Sequence, residues 1–296
     1  MYSQHFNSQA KSKHYHCARL FILIGTLGIT SFSWAKSNLL NSEQQIYPIE
    51  NEQLIESSGL ACSTRDDNLL WSHNDSGHMP IIYALDGRGK NKRSFYLEGV
   101  QSNDWEDMDA FEYAGEHYLL IADTGDNLHF RWDYQIIIIK EPALTGKSRG
   151  SVSPAWSFVF KFENNRSYDV EAVAVDVQRK KIMLLSKHSK PSYLFELPLI
   201  PPAGKQVLVA KKIAEFKDMI KPTALDISAD GRLMSINTYR RVHRWEKKSA
   251  TDNWRYKHSI KYKKMFQPEA MCLSNDEKNY YISSERKSYL LKLKAR

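Results

Sequence analysis

Five stretches of the chain follow one pattern: a run of small or apolar residues, then a second apolar run ending 15 to 17 residues past the head of the first. Aligned on themselves, they place Ser58 (SGLACS), Glu106 (EDMDAF), Glu171 (EAVAVD), Thr223 (TALDIS) and Glu269 (EAMCLS) in one column. The successive offsets are 48, 65, 52 and 46 residues. The second runs end at His73, Asp123, Lys187, Thr238 and Ser284, and a third run follows in every copy, such as IIYALD from Ile81 and YQIIII from Tyr134. A period near 50 with several short strands per repeat is the signature of a β-propeller.

Fourth strands fit the gaps after the first four repeats, over Arg93 to Leu97, Ala155 to Phe162, Gln206 to Phe216 and Trp254 to Tyr262. The last repeat ends with its third strand, Tyr289 to Leu293. Propellers close when a strand from one terminus completes the blade at the other, so Ile46 to Ile55 is expected to supply the missing outer strand. The reading is an all-β, five-bladed propeller over residues 46–296, one domain behind a polar lead-in at 36–45. A six-bladed alternative needs a further copy inside the 65-residue interval. Its excess, Glu141 to Pro154, reads as a Gly/Ser/Pro-containing loop.

Residues 1–35 read as a secretory signal peptide. Lys11, Lys13 and Arg19 precede an apolar run from Leu20 to Phe32, and Ser33 and Ala35 supply the small residues before a cut. The run falls short of the roughly 20 residues of a spanning helix, so no membrane span is expected after cleavage. A periplasmic or secreted monomer follows. Removing the leader takes the formal charge from +8 to +5 and leaves Cys62 and Cys272, on the first strands of the first and last repeats. These strands become neighbours in a closed ring, and export permits a disulfide. Because the two cysteines differ by one in the repeat frame, they read as pointing to different faces and as buried thiols. Arg240 to Arg296 carries 16 basic and 6 acidic residues. In an exported chain that reads as a solvated basic face of outer strands, not a nucleic-acid surface.

The motifs ESSGLA, LWSHNDSG, IYALD, DWEDMD, IADTGDN, KEP and DVEAVAVD together resemble a group of bacterial secreted propeller proteins and are more distantly similar to the periplasmic SdiA-regulated propellers. The resemblance covers about Glu56 to Leu197. It implies a propeller at the cell envelope and carries no established reaction.

The innermost strand of each blade lines the central channel, so the column Ser58, Glu106, Glu171, Thr223 and Glu269 is expected to ring one mouth. The ends of the second strands, with Asp75, Asp123, Asp126, Lys187 and Arg286, should surround it. Three glutamates around a narrow channel repel one another unless protons, a basic side chain or a cation neutralise them. Oxygen ligands without cysteine point to calcium or magnesium, with Glu106, Glu171, Glu269, Asp75 and Asp123 as candidate ligands. Alternatively the carboxylates bond loop amides and hold the blades together. Asp75-Ser76-Gly77 and Asp123-Thr124-Gly125 match the aspartic-protease motif, but their 48-residue separation is the blade period. Trp105 beside the ring could stack a ligand or pack between blades. No P-loop, dinucleotide-binding glycine pattern or zinc-ligand spacing is present.

Two functions follow. The leading one is a propeller that binds a ligand or an envelope protein at the acidic mouth. The alternative is a metal-dependent hydrolase of a phosphoester, ester or lactone, with His73 or Glu285 as base and Lys187 or Arg286 holding an anionic substrate.

Overall fold

The computed structural model describes residues 43–295, apart from 147, 188–190, 205–206, 250–251 and 264. The expected leader and most of the lead-in lie outside the described residues. Nearly all regular structure is antiparallel strand. After β1 (Gln44–Pro48), β2 (Ser57–Cys62), β3 (Leu69–Asn74), β4 (Ile81–Asp86) and β5 (Asn91–Leu97) pair in sequence order as a meander. The next unit holds β6 (Trp105–Tyr113), β7 (Glu116–Asp123) and β8 (Tyr134–Lys140); the following strand, β9 (Arg149–Val152), leaves it to pair in parallel with β5. β10 (Pro154–Phe162) then returns to the outside of β8. The interval read as a loop therefore contains a strand, and it laces one unit to the next.

A third unit runs β11 (Val170–Asp176), β12 (Lys181–Ser186), β13 (Ser192–Pro198) and β14 (Val207–Phe216). Its outer strand pairs in parallel with β10, fusing two units into an eight-stranded sheet. β15 (Pro222–Ile227), β16 (Leu233–Thr238), β17 (Arg241–Glu246) and β18 (Arg255–Lys261) form the next sheet. In the last, β19 (Pro268–Leu273), β20 (Asn279–Ser284) and β21 (Tyr289–Lys294) are completed by β1, whose Ile46 pairs with Leu291. The N-terminal strand thus closes the final sheet, as expected, but it ends at Pro48, seven residues before the predicted Ile55.

The inner strands neighbour one another in the order β2, β6, β11, β15, β19 and back to β2. Their side chains explain their place. Every residue of β11, β15 and β19 is buried, and such small and branched apolar runs suit strands covered on both faces. Between successive units lie separate apolar cores. Leu69, Trp71 and Ile82 meet Met108, Ile121 and Ile137 on one side of the first unit. On its other side, Leu60, Leu70 and Leu85 meet Ala270, Tyr281 and Leu290 of the last. Each fully buried leucine or isoleucine there contributes about 1.5–3 kcal/mol. An all-β fold of sheets packed face to face around a ring of inner strands is a β-propeller.

Cys62 and Cys272 are joined as a disulfide across this last core, with Cα atoms 5.5 Å apart. This corrects the expectation of two free thiols, and the reason is the stacking of the ring. Opposite faces of neighbouring sheets look at each other, so cysteines on opposite faces of adjacent inner strands meet.

Candidate functional site: an acidic mouth

Every inner strand begins with the same irregularity. The register slips between Ser57 and Gly59, Trp105 and Asp107, Val170 and Ala172, Pro222 and Ala224, and Pro268 and Ala270. A bulge bends the strand and re-aims the side chain it frees. The freed residue is the column member in each case, which is how one repeat position comes to ring the channel mouth.

The five members do different work. Ser58 Oγ donates to the Glu106 carbonyl at 2.7 Å, and Thr223 Oγ1 to the Pro268 carbonyl at 3.0 Å, each stitching an inner strand to the next. The three glutamates are buried. Lys187, at the end of β12, sits 2.7 Å from Glu171 and 3.6 Å from Glu269. Tyr239 donates its hydroxyl to Glu269 at 3.2 Å. Burial pulls the Lys187 ammonium down, yet the two carboxylates outweigh it and hold it well above its usual range. Burial lifts the Glu171 carboxyl to about 8 against the pull of Lys187, with Asp169 and Glu269 adding to the rise. Glu106 has no such partner. Burial, then Glu171, Asp75 and Asp104, push it well above the carboxylate range, with Lys187 opposing.

Two loop carboxylates that the column did not reveal complete the cluster. Carboxylate oxygens of Asp75, Asp104 and Glu106 lie within 4.8 Å of one another, as do those of Glu106, Asp169 and Glu171. Asp104 and Asp169 occupy the position two before the column, where the first repeat has Glu56. A second column at that offset is the signal that would have found them. Burial raises Asp104 to about 6, helped by Asp75. Gly125 makes room for the cluster: a Cβ there would collide with the Glu106 and Asp104 carboxylates.

Other expected site residues are placed elsewhere or spent on structure. Asp123 is fully buried, pairs with Arg131 at 2.8 Å and accepts the Asn103 and Asp104 amides. It belongs to neither of the two carboxylate triads. Asp126 accepts the Phe130 and Arg131 amides and the Tyr134 hydroxyl. Trp105 is buried in the core between the first two units, with its ring 5.3 Å from His73 in an edge-on contact. His73 has no exposed surface. Its Nδ1 is 2.9 Å from the Asn74 carbonyl, its Nε2 abuts Gly59, and burial lowers it to about 4. A neutral ring packed this way is a wall of the core, not a base. Glu285 is half-buried, accepts a hydrogen bond from Gln267 at 2.7 Å and lies near the exposed Arg286.

Around the acids stands an apolar collar. Leu128, Phe130 and Trp132, all on the loop between β7 and β8, are 78, 67 and 81% exposed. The loop is held in place: Asp126 caps it as described, Arg131 donates to the Gly125 carbonyl at 2.9 Å, and Ser167 to the His129 carbonyl at 2.9 Å. Met79, Ile55, Ile220 and Phe266, on other loops at this end of the inner strands, are also exposed.

No protein-family model matches the chain, and no curated protein matches it by sequence. Among solved structures it is similar to hydrazine synthase of Kuenenia stuttgartiensis, at 12% identity over 80% of this chain and 71% of that one, with a TM-score of 0.45. It is also similar to the β-propeller domain of Cps50 (Swd1) from Myceliophteria thermophila, at 10% identity over 81 and 82% of the two chains and a TM-score of 0.43. Neither likeness brings an activity to this chain. Among the described residues, no helix is long and apolar enough to cross a membrane.

Proposed function

We propose that this is a five-bladed envelope propeller that binds a protein partner at the acidic mouth, taking a basic side chain of that partner among Asp75, Asp104 and Glu106 while apolar side chains cover Leu128, Phe130 and Trp132. The observation that carries the reading is the apolar collar. Three large side chains held in water by a loop tied at both ends cost solvation that a free monomer gains nothing from, and contiguous exposed apolar surface marks interaction sites. An acidic centre inside an apolar collar favours lysine or arginine flanked by apolar residues, with the charge pair fixing register. The Cys62–Cys272 disulfide supports an oxidising compartment, in line with the resemblance to exported propellers.

Selection of a random peptide library on the full chain tests this. Enrichment of peptides carrying Lys or Arg beside apolar residues, lost on a Leu128→Ser, Phe130→Ser, Trp132→Ser variant that melts normally, is the expected result. Enrichment that survives the triple variant overturns it.

The two carboxylate triads favour a second reading, in which calcium or magnesium sits at Glu106. In the hydrolase form of that reading Glu285 is the remaining base, since His73 is enclosed, and Lys187 would have to leave Glu171 to meet a substrate. A melt with each cation against EDTA separates the two: a cation at 100 times its dissociation constant adds about 2.7 kcal/mol.

A further inference from the structure

The far end of the ring holds a cavity of about 580 Å³ that the mouth chemistry does not use. Its walls are the other ends of the inner strands, with Phe111, Val175, Ile227 and Leu273 supplying apolar surface. Asp109 and Asp226 also line it, and Asp67, Glu112 and Glu277 add three more carboxylates, whereas no lysine or arginine is among the described lining residues.

The two aspartates differ in how far they are satisfied. Asp109 spends both oxygens on backbone amides, Oδ1 on Ala110 and Oδ2 on Val175, each at 2.7 Å. Asp226 is 8% exposed, and its Oδ2 accepts the Leu273 amide at 2.8 Å. Among the described residues its Oδ1 accepts no hydrogen bond, and this oxygen is not one of the fully enclosed polar atoms, so it is open to the cavity that Asp226 lines. An acceptor left open in a cavity of ligand size is a place for a donor from outside. The rim is built in advance. Gln178 donates to the Ala229 carbonyl at 3.0 Å, and Asn275 to the Ser63 carbonyl at 2.9 Å and to Asp67 at 2.8 Å, each tying loops of neighbouring units together.

We propose that this cavity binds a small organic ammonium ion, its charged head donating to Asp226 Oδ1 and its hydrocarbon lying against Phe111, Val175, Ile227 and Leu273. The size suits a small molecule, since ligand pockets run from about 300 to 1,000 Å³ with apolar walls and few polar anchors. The absence of a cationic lining side chain selects against anions. The apolar wall selects against a hydrated metal ion, and neither Asp109 nor Asp226 belongs to the described groups of three potential metal ligands. Asp109 and Glu277 are the carboxyl groups nearest in effect to Asp226; burial raises both, and a cation beside Asp226 relieves their mutual repulsion. Burial, opposed by the Leu273 amide, raises Asp226 to about 7, so the carboxylate form is the majority at pH 8.

Titration calorimetry of the full chain at pH 8 tests this with n-butylammonium and phenethylammonium, and with n-butanol as the neutral comparison. The expected result is saturable one-to-one binding of both ammonium ions, none of n-butanol, and at least tenfold weaker binding in Asp226→Asn. Ala229→Trp, at an exposed rim position, should block entry without touching the floor, and it decides the matter if Asp226→Asn loses its cooperative melt. Absence of saturable binding, equal binding of n-butanol, unchanged affinity in Ala229→Trp, or displacement of the amine by calcium overturns the proposal.

Discussion

Lys187 lies 2.7 Å from Glu171, at the start of the neighbouring inner strand, and 3.6 Å from Glu269, so one ammonium answers two acids of the mouth. Its removal leaves Glu269, and Glu171 once it ionises, buried without a cation, with the Tyr239 hydroxyl donating to Glu269. We expect Lys187→Met to lose about 3 kcal/mol of stability in urea denaturation, the range for breaking a buried pair from one side. Adding Glu171→Gln should restore most of it. A Lys187→Met variant as stable as the parent would mean that the mouth carries its charge without the lysine.

Stability should fall as pH rises above neutrality. Glu171 is raised from 4.5 to about 8 and Asp226 from 3.8 to about 7. Between pH 6.5 and 8.5 the unfolded chain has ionised both, while the folded chain still holds part of their protons. The folded state therefore binds more protons, and the stability these groups supply at lower pH is lost as pH climbs through their folded values. His73, lowered to about 4, is neutral in the folded state here and largely so in the unfolded state above 6.5, so it barely enters. The expected result is a Tm several degrees lower at pH 8.5 than at pH 6.5, at about 2–4 °C per kcal/mol for a domain of this size. The Glu171→Gln, Asp226→Asn double variant should show a flatter profile, and an equal slope would count against both assignments.

Reduction should loosen the ring at one seam. The Cys62–Cys272 bond encloses 210 residues of sequence separation, and constraint of so long a loop in the unfolded chain stabilises by roughly 5.4 kcal/mol in the chain-entropy account. A thermal melt with and without a phosphine reductant should show a clear drop, absent in a Cys62→Ala, Cys272→Ala variant. An unaltered melt would mean that the thiols are not joined.

Deleting residues 43–55 removes β1 together with the buried Ile49 and Leu54 and exposes the whole edge of β21. Loss of cooperative unfolding, or association through the bare edge, is the expected outcome by calorimetry and light scattering. A monomer with an unchanged melt would contradict the closure.

Strand order and the column at the mouth were legible because both follow from a repeated local pattern. The column residues recur at a fixed place before each first run, and a bulge shared by all the inner strands turns that place toward the channel. What a side chain does there depends on its neighbour across the unit boundary, which no repeat reveals. Ser58 and Thr223 bond the next strand, Glu171 meets Lys187, and Glu106 meets three loop aspartates. Asp123 looked like a ligand in sequence because Arg131, its partner at 2.8 Å, sits eight residues on in a loop without a repeat. The cysteines misled for the same reason. Alternation along a strand tells which face a residue takes, but whether two faces meet is settled by the stacking of whole sheets.

Lys294 donates its amide to the Glu43 carbonyl at 3.0 Å, so the first and last described strands share a sheet. A ribosome or an export channel that delivers this chain from its front end releases β1 long before its partner strand β21 exists. At 5–20 residues per second the wait is on the order of 10–50 s, during which an unpaired strand and a half-built ring must avoid other chains. The moment of closure also brings Cys272 to Cys62, so oxidation can act as a latch that keeps the finished circle from reopening.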